Sequence, residues 1–66
     1  MQIVINGEAR AIADGLSLCA LVEQMSLPPA RIAIELNREV VRRADWPETI
    51  LVAGDKLEIV HFVGGG

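Results

Sequence analysis

Four groups of residues could do chemistry here: the closing run Val63-Gly64-Gly65-Gly66, His61 beside it, the single Cys19, and the carboxylates Asp14, Asp45 and Asp55. The glycine run has no side chains to pack and maximal backbone freedom, so it should extend as a flexible thread. At about 3.3–3.6 Å per residue it would reach roughly 10 Å past Val63. A phosphate-cradling loop is excluded, because neither a helix nor a Lys-Ser/Thr pair follows the glycines. What remains is a slim peptide carrying a carboxylate, able to enter a narrow tunnel in a partner. A carboxylate is a poor acyl donor and needs activation, for instance as an acyl-adenylate formed with ATP. The activating site would lie in the partner, since nothing in this chain binds a nucleotide. The same run also fits a frayed end or a fusion scar, and the residues alone leave both readings standing.

The other candidates read more plainly. A histidine is a general-base candidate, but no Cys or Ser stands near His61 in sequence to complete a catalytic set. Cys19 could accept a persulfide, yet it lies early in a short apolar-faced helix and fits a small semi-buried thiol. The three aspartates are each near Gly or Pro and read as turn residues, not metal ligands. No metal site and no resident cofactor are expected.

Size and charge narrow the field further. The chain has 66 residues, 52% of them hydrophobic, which is one small domain with no room for a deep enveloping pocket. It is too apolar for intrinsic disorder, and no run approaches the roughly 18 residues of a membrane span. Six basic against nine acidic residues give a formal charge of −3, opposite to the basic footprint of a nucleic-acid binder. Arg42-Arg43, with Arg38 nearby, fits a solvated loop. A lone cysteine excludes an internal disulfide and a CxxC pair, which suits a reducing compartment. The N-terminus has no signal-peptide pattern, so the cytoplasm is expected.

The elements that must position these groups follow from local pattern. Ile3-Val4-Ile5, the turn pair Asn6-Gly7 and a return over Glu8 to Ala13 predict a hairpin. The small Ala9, Ala11 and Ala13 suggest close packing of that return strand. Ser17 is placed as an N-cap, and Leu18, Leu21, Val22 and Met25 follow the spacing of one helix face, ending before Pro28-Pro29. Ile32, Ile34 and Leu36, the turn at Asn37-Arg38, and Glu39-Val40-Val41 predict a second hairpin. Arg38 at positive φ costs more than glycine would there. Arg42 to Ile50 reads as an irregular connection anchored by Trp46. Gly54-Asp55 turns into a last strand over Lys56 to Val63. Strands on both sides of one helix predict an α+β layer pair, a mixed sheet with a helix across one face. In the last strand Leu57 and Ile59 have the better claim to the core, which leaves Val60 and Phe62 outward. An exposed Val beside an exposed Phe suggests a docking patch; edge burial of the same two residues is the competing reading, and both stand at this point.

Taken together, Ile5-Asn6-Gly7-Glu8, the Leu18/Leu21/Val22 helix, Ile34 to Val41, Trp46, Gly54-Asp55-Lys56-Leu57-Glu58-Ile59-Val60 and the final Val63-Gly64-Gly65-Gly66 carry a resemblance over the full chain. The sequence resembles the ThiS family, the sulfur carriers of thiamine thiazole synthesis, among the ubiquitin-like β-grasp proteins. It departs from them at Arg42, where such carriers often have Pro, and at Arg38, which replaces a frequent turn Gly. Both touch local geometry and neither touches the tail.

The resemblance implies a β-grasp domain over residues 1–63, with a sheet of four to five strands, and a flexible tail over 64–66. It implies that an E1-like adenylyltransferase of ThiF type uses ATP and Mg²⁺ to adenylate the Gly66 carboxylate. Sulfur from a cysteine desulfurase then leaves a thiocarboxylate, which is donated to a thiazole synthase of ThiG type. Gly64 and Gly65 would give the slender approach, and Val60 and Phe62 the docking contacts. The chain would be a carrier, not an enzyme, with no nucleic-acid or membrane partner. Alternatives of the same chemistry are the small subunit of molybdopterin synthase, whose members usually run longer, and a ubiquitin-like modifier. An alternative of another class is a non-covalent β-grasp interaction module, which has no need of a terminal Gly-Gly.

Overall fold

The computed structural model describes residues 1–62; the expectations for Val63 and for the 64–66 tail lie outside the described residues. The first hairpin joins β1 (Gln2–Ile5) to β2 (Glu8–Ala11) through Asn6 at φ 50° and Gly7 at φ 82°. Positive φ at both central residues gives the turn whose twist matches the flanking strands. The second hairpin, β3 (Ile32–Leu36) to β4 (Glu39–Val41), uses Asn37 at φ 51° and Arg38 at φ 72°. Arg38 therefore accepts the left-handed conformation, at a cost of about 1–2 kcal/mol. Asn37 helps to hold it there: its amide accepts from the Lys56 N–H (3.0 Å) and donates to Asp55 (3.1 Å).

Between the hairpins lies α1 (Leu18–Gln24), capped by Ser17, whose hydroxyl accepts from the Ala20 N–H at 3.0 Å. The helix stops well before the prolines. Ser26, at φ 55°, turns the chain so that its N–H donates to Glu23 C=O and the Leu27 N–H donates to Val22 C=O. That pair of bonds is a Schellman ending, with serine where glycine is usual.

The last strand, β5 (Lys56–His61), enters between the hairpins, giving the sheet order β2-β1-β5-β3-β4. It runs parallel to β1 and antiparallel to β3. The sheet is therefore five-stranded and mixed, as expected, with α1 across one face. Ile3 and Ile5, Ile32 and Ile34, and Leu57 and Ile59 turn toward Leu18, Leu21 and Val22 of the helix. Each such side chain contributes about 1.5–3 kcal/mol by leaving water.

Three local expectations need correction. The return strand ends at Ala11, not Ala13, because Ile12 leaves the strand to bury its side chain while its N–H donates to Met1 C=O. Ala9, Ala11 and Ala13 are not closely packed; all three are exposed. The connection after β4 is not irregular: residues Arg43–Glu48 form a 3₁₀ turn that tolerates Pro47. Such a turn needs few hydrogen bonds, and Trp46 holds it down, being 2% exposed with its Nε1–H donating to Val41 C=O at 3.0 Å.

Candidate functional site

β5 is the last described strand before the glycine run in the sequence, and several contacts fix it. At its start Asp55 is buried, and its carboxylate accepts from the Val52 N–H (2.9 Å) and from Asn37 (3.1 Å). The sequence pattern makes Asp55 a simple turn residue; burial and two bonds make it a clasp between the second hairpin and β5. In mid-strand the Asn6 amide takes the place of a backbone neighbour. Its Oδ1 accepts from the Ile59 N–H at 2.7 Å, and its Nδ2 donates to Ile59 C=O at 3.2 Å. The parallel ladder from β1, which ends in the bond from Asn6 N–H to Leu57 C=O, is thereby extended one step. At the far end β5 stops at His61, short of the run expected past it, and the Phe62 N–H donates to Arg31 C=O at 2.7 Å.

The alternation expected for β5 holds where it is described: Leu57 and Ile59 are buried, while Val60 and Phe62 are 56% and 53% exposed. Among the described residues, then, that pair is exposed and not buried at an edge. Val60 lies opposite the half-buried Ala33 of β3, and Val40 of β4 is exposed on the same outward face. The register also sets Glu35 directly opposite Glu58, and Val40 opposite Glu35. This outer face is the one α1 leaves open; Val40, Val60 and Phe62 are exposed there, and Glu35 and Glu58 share a depression on it with Lys56 and Arg38. Its strand parity was legible in the sequence; the register that pairs Glu35 with Glu58 was not.

The remaining candidates lie apart from this face. Cys19 is half-buried on the helix side, on a mostly apolar groove of about 580 Å³ that Val22, Leu27 and Trp46 also line. His61 is exposed at the strand end. Arg42 pairs locally with Asp45 at 3.5 Å. Among the described residues no group of three or more His, Cys, Asp or Glu side chains is placed to hold a metal ion, and no helix is long and apolar enough to cross a membrane. Gly64, Gly65 and Gly66 lie outside the described residues.

A five-stranded mixed sheet with one helix across it, its last strand central and parallel to its first, is the ubiquitin-like β-grasp fold. A crystal structure of a thiamine biosynthesis protein (ThiS) from Geobacter metallireducens superimposes with a TM-score of 0.86, 30% identity and full coverage of both chains. Residues 3–66 match the ThiS family model, and the chain belongs to that family. The sulfur carrier protein ThiS of Escherichia coli (strain K12) is 32% identical over 66 residues, covering all of both chains. A thiazole synthase of Paramagnetospirillum magneticum is 38% identical over the same 66 residues, which make up 20% of that protein. The chain thus spans about a fifth of the length of the thiazole synthases it matches.

Proposed function

We propose that this chain is a sulfur carrier for thiazole formation in thiamine biosynthesis, and that Gly66 is the residue modified. The observation that carries the reading is the end-to-end match with a chain-length relative named as a sulfur carrier. The thiazole synthases that include a segment like this chain support a synthase of ThiG type as the acceptor.

Each step follows from carboxylate chemistry. The Gly66 carboxylate attacks the α-phosphate of ATP in an E1-like, ThiF-type enzyme with Mg²⁺, giving an acyl-adenylate and pyrophosphate. The terminal sulfur of a cysteine-desulfurase persulfide displaces AMP, and a thiol then cleaves the S–S bond, leaving a thiocarboxylate. Gly64 and Gly65 let the end enter the enzyme, while Val60 and Phe62 dock against its surface. The chain is a co-substrate, recharged after each donation, and binds no cofactor itself. A cytoplasmic setting supplies both ATP and the reducing conditions.

Intact-mass measurement after incubation with the cognate adenylyltransferase, ATP, Mg²⁺ and a sulfur source tests this. The expected product has one oxygen of the terminal carboxylate replaced by sulfur. Deleting Gly66 should abolish the change and leave the circular dichroism spectrum intact. If the full chain forms no adenylate and never exchanges oxygen for sulfur, the carrier reading fails.

A further inference from the structure

The first hairpin turn carries a reactive pair of residues that the fold employs as a tie. Asn6-Gly7 sets a side-chain amide next to the least hindered backbone nitrogen a chain can offer. With no Cβ on Gly7, nothing on that residue screens its nitrogen from the amide carbon, Cγ, of Asn6. Attack of the Gly7 nitrogen on Cγ forms a C–N bond and closes a cyclic imide. The Cγ–Nδ2 bond breaks, and Nδ2 leaves as ammonia. Water then opens the imide at either carbonyl, giving aspartate or its β-linked isomer. In sum the chain takes up water and releases ammonia, with nothing oxidised or reduced.

The fold keeps the two reacting atoms apart. Asn6 Oδ1 accepts from the Ile59 N–H at 2.7 Å, and Nδ2 donates to Ile59 C=O at 3.2 Å, so the amide is held toward β5 at both ends. To reach the Gly7 nitrogen it must drop both bonds. Ring closure must also move a backbone that the turn holds at φ 50° and φ 82°. No neighbour crowds Gly7, since a Cβ built there would meet nothing within 4 Å. The tie to Ile59 is therefore the restraint. The second hairpin offers a comparison within the same chain. Asn37 takes the matching place and is tied to the Lys56 N–H and to Asp55, but Arg38 follows it, and its side chain hinders the nitrogen that would attack.

We infer that Asn6-Gly7 is a latent deamidation site held shut by Ile59, modified in proportion to how often β5 lets go of the first turn. The modification changes the hold itself. Aspartate keeps an acceptor for the Ile59 N–H but sets an anionic oxygen against Ile59 C=O where a donor stood. The isomer adds a methylene to the backbone of a two-residue turn, whose length sets the register of β1 with β2. Either product weakens the grip on β5, so a modified chain opens more readily than an intact one.

Incubating the full chain at mildly alkaline pH and mapping its peptides by mass spectrometry reads the conversion at each asparagine. In urea that unfolds the chain, Asn6 should convert faster than Asn37. In the folded chain Asn6 should convert about tenfold or more slowly than in urea, since two bonds must break together. Across lower urea concentrations its rate should keep a constant ratio to hydrogen exchange at the Ile59 amide, because one opening frees both groups. Asn6→Asp, which makes one product directly, should unfold about 4–8 °C below the wild type for the donor it lacks. Asn37 keeping pace with Asn6 in urea overturns the assignment of the site. A folded chain that converts as fast as the unfolded one, or at a rate unrelated to Ile59 exchange, overturns the role of the tie. An Asn6→Asp chain as stable as the wild type refutes the weakened grip. None of these readouts depends on sulfur transfer, so the carrier reading stands or falls apart from them.

Discussion

Replacing Asn6 tests whether a side-chain amide, and not only a turn, holds the tail-bearing strand in register. Two effects separate by choice of substitution. Asn6→Gly keeps the positive φ without penalty and removes both bonds to Ile59. At about 0.5–1.5 kcal/mol per bond, the gross loss is about 1–3 kcal/mol. Water can partly replace the amide at this part-exposed position, which favours the lower half, about 1–2 kcal/mol. Asn6→Ala adds the left-handed strain of a residue with a Cβ, about 1 kcal/mol more. For a domain of this size 1 kcal/mol corresponds to about 4–8 °C in Tm, so Asn6→Gly should lower Tm by about 4–16 °C, and Asn6→Ala should go further. Thermal unfolding by far-UV circular dichroism reads the totals. Hydrogen exchange at the Ile59 amide reads the mechanism, because that N–H should lose protection even where the global change is small. If Asn6→Gly is neutral and the Ile59 amide stays protected, the turn alone sets the register and the reasoning is wrong.

Two further outcomes follow from the packing. Trp46→Phe removes the indole N–H bonded to Val41 C=O and leaves a small void, so it should cost about 2 kcal/mol, against about 3–5 for Trp46→Ala; urea unfolding followed by circular dichroism measures both, and a cost near zero would mean that the indole is not an anchor. Ser26→Gly relieves a left-handed serine that makes no side-chain bond among the described residues. After the entropy of a freer unfolded chain is subtracted, a gain of about 0.5 kcal/mol remains, read as a Tm rise of about 2–4 °C; a drop in Tm would show that Ser26 does more than close the helix.

What could be read in the sequence was what neighbours along the chain decide. Asn6-Gly7 announces its turn because few residues reach positive φ cheaply, and Ser17 announces a cap because its hydroxyl needs only the N–H three residues on. The buried parity of Leu57 and Ile59 follows from alternation alone. Ile12 and Leu51 could not be found this way: both are core residues in connecting segments, where no period marks them. Asp55 carries a turn signature, and only the arrival of Asn37 from the other hairpin turns it into a buried clasp. The Glu35–Glu58 pairing was hidden for the same reason, since register between distant strands is set by assembly. For Val60 and Phe62 the sequence offered exposure as one of two readings, and the strand's place at the sheet centre decided between them.

That central place also sets the order of events during synthesis. The last of the described strands in chain order is the one both hairpins pair with, so a nascent chain halted before Lys56 has two hairpins with no common sheet and a helix with little to cover. Contacts between β1 and β5 span most of the chain, and such long closures make folding wait. A chain halted before Lys56 therefore lacks the strand that both hairpins share. The sheet and its outward face at Val60 come into being in one step, when β5 arrives between the two hairpins.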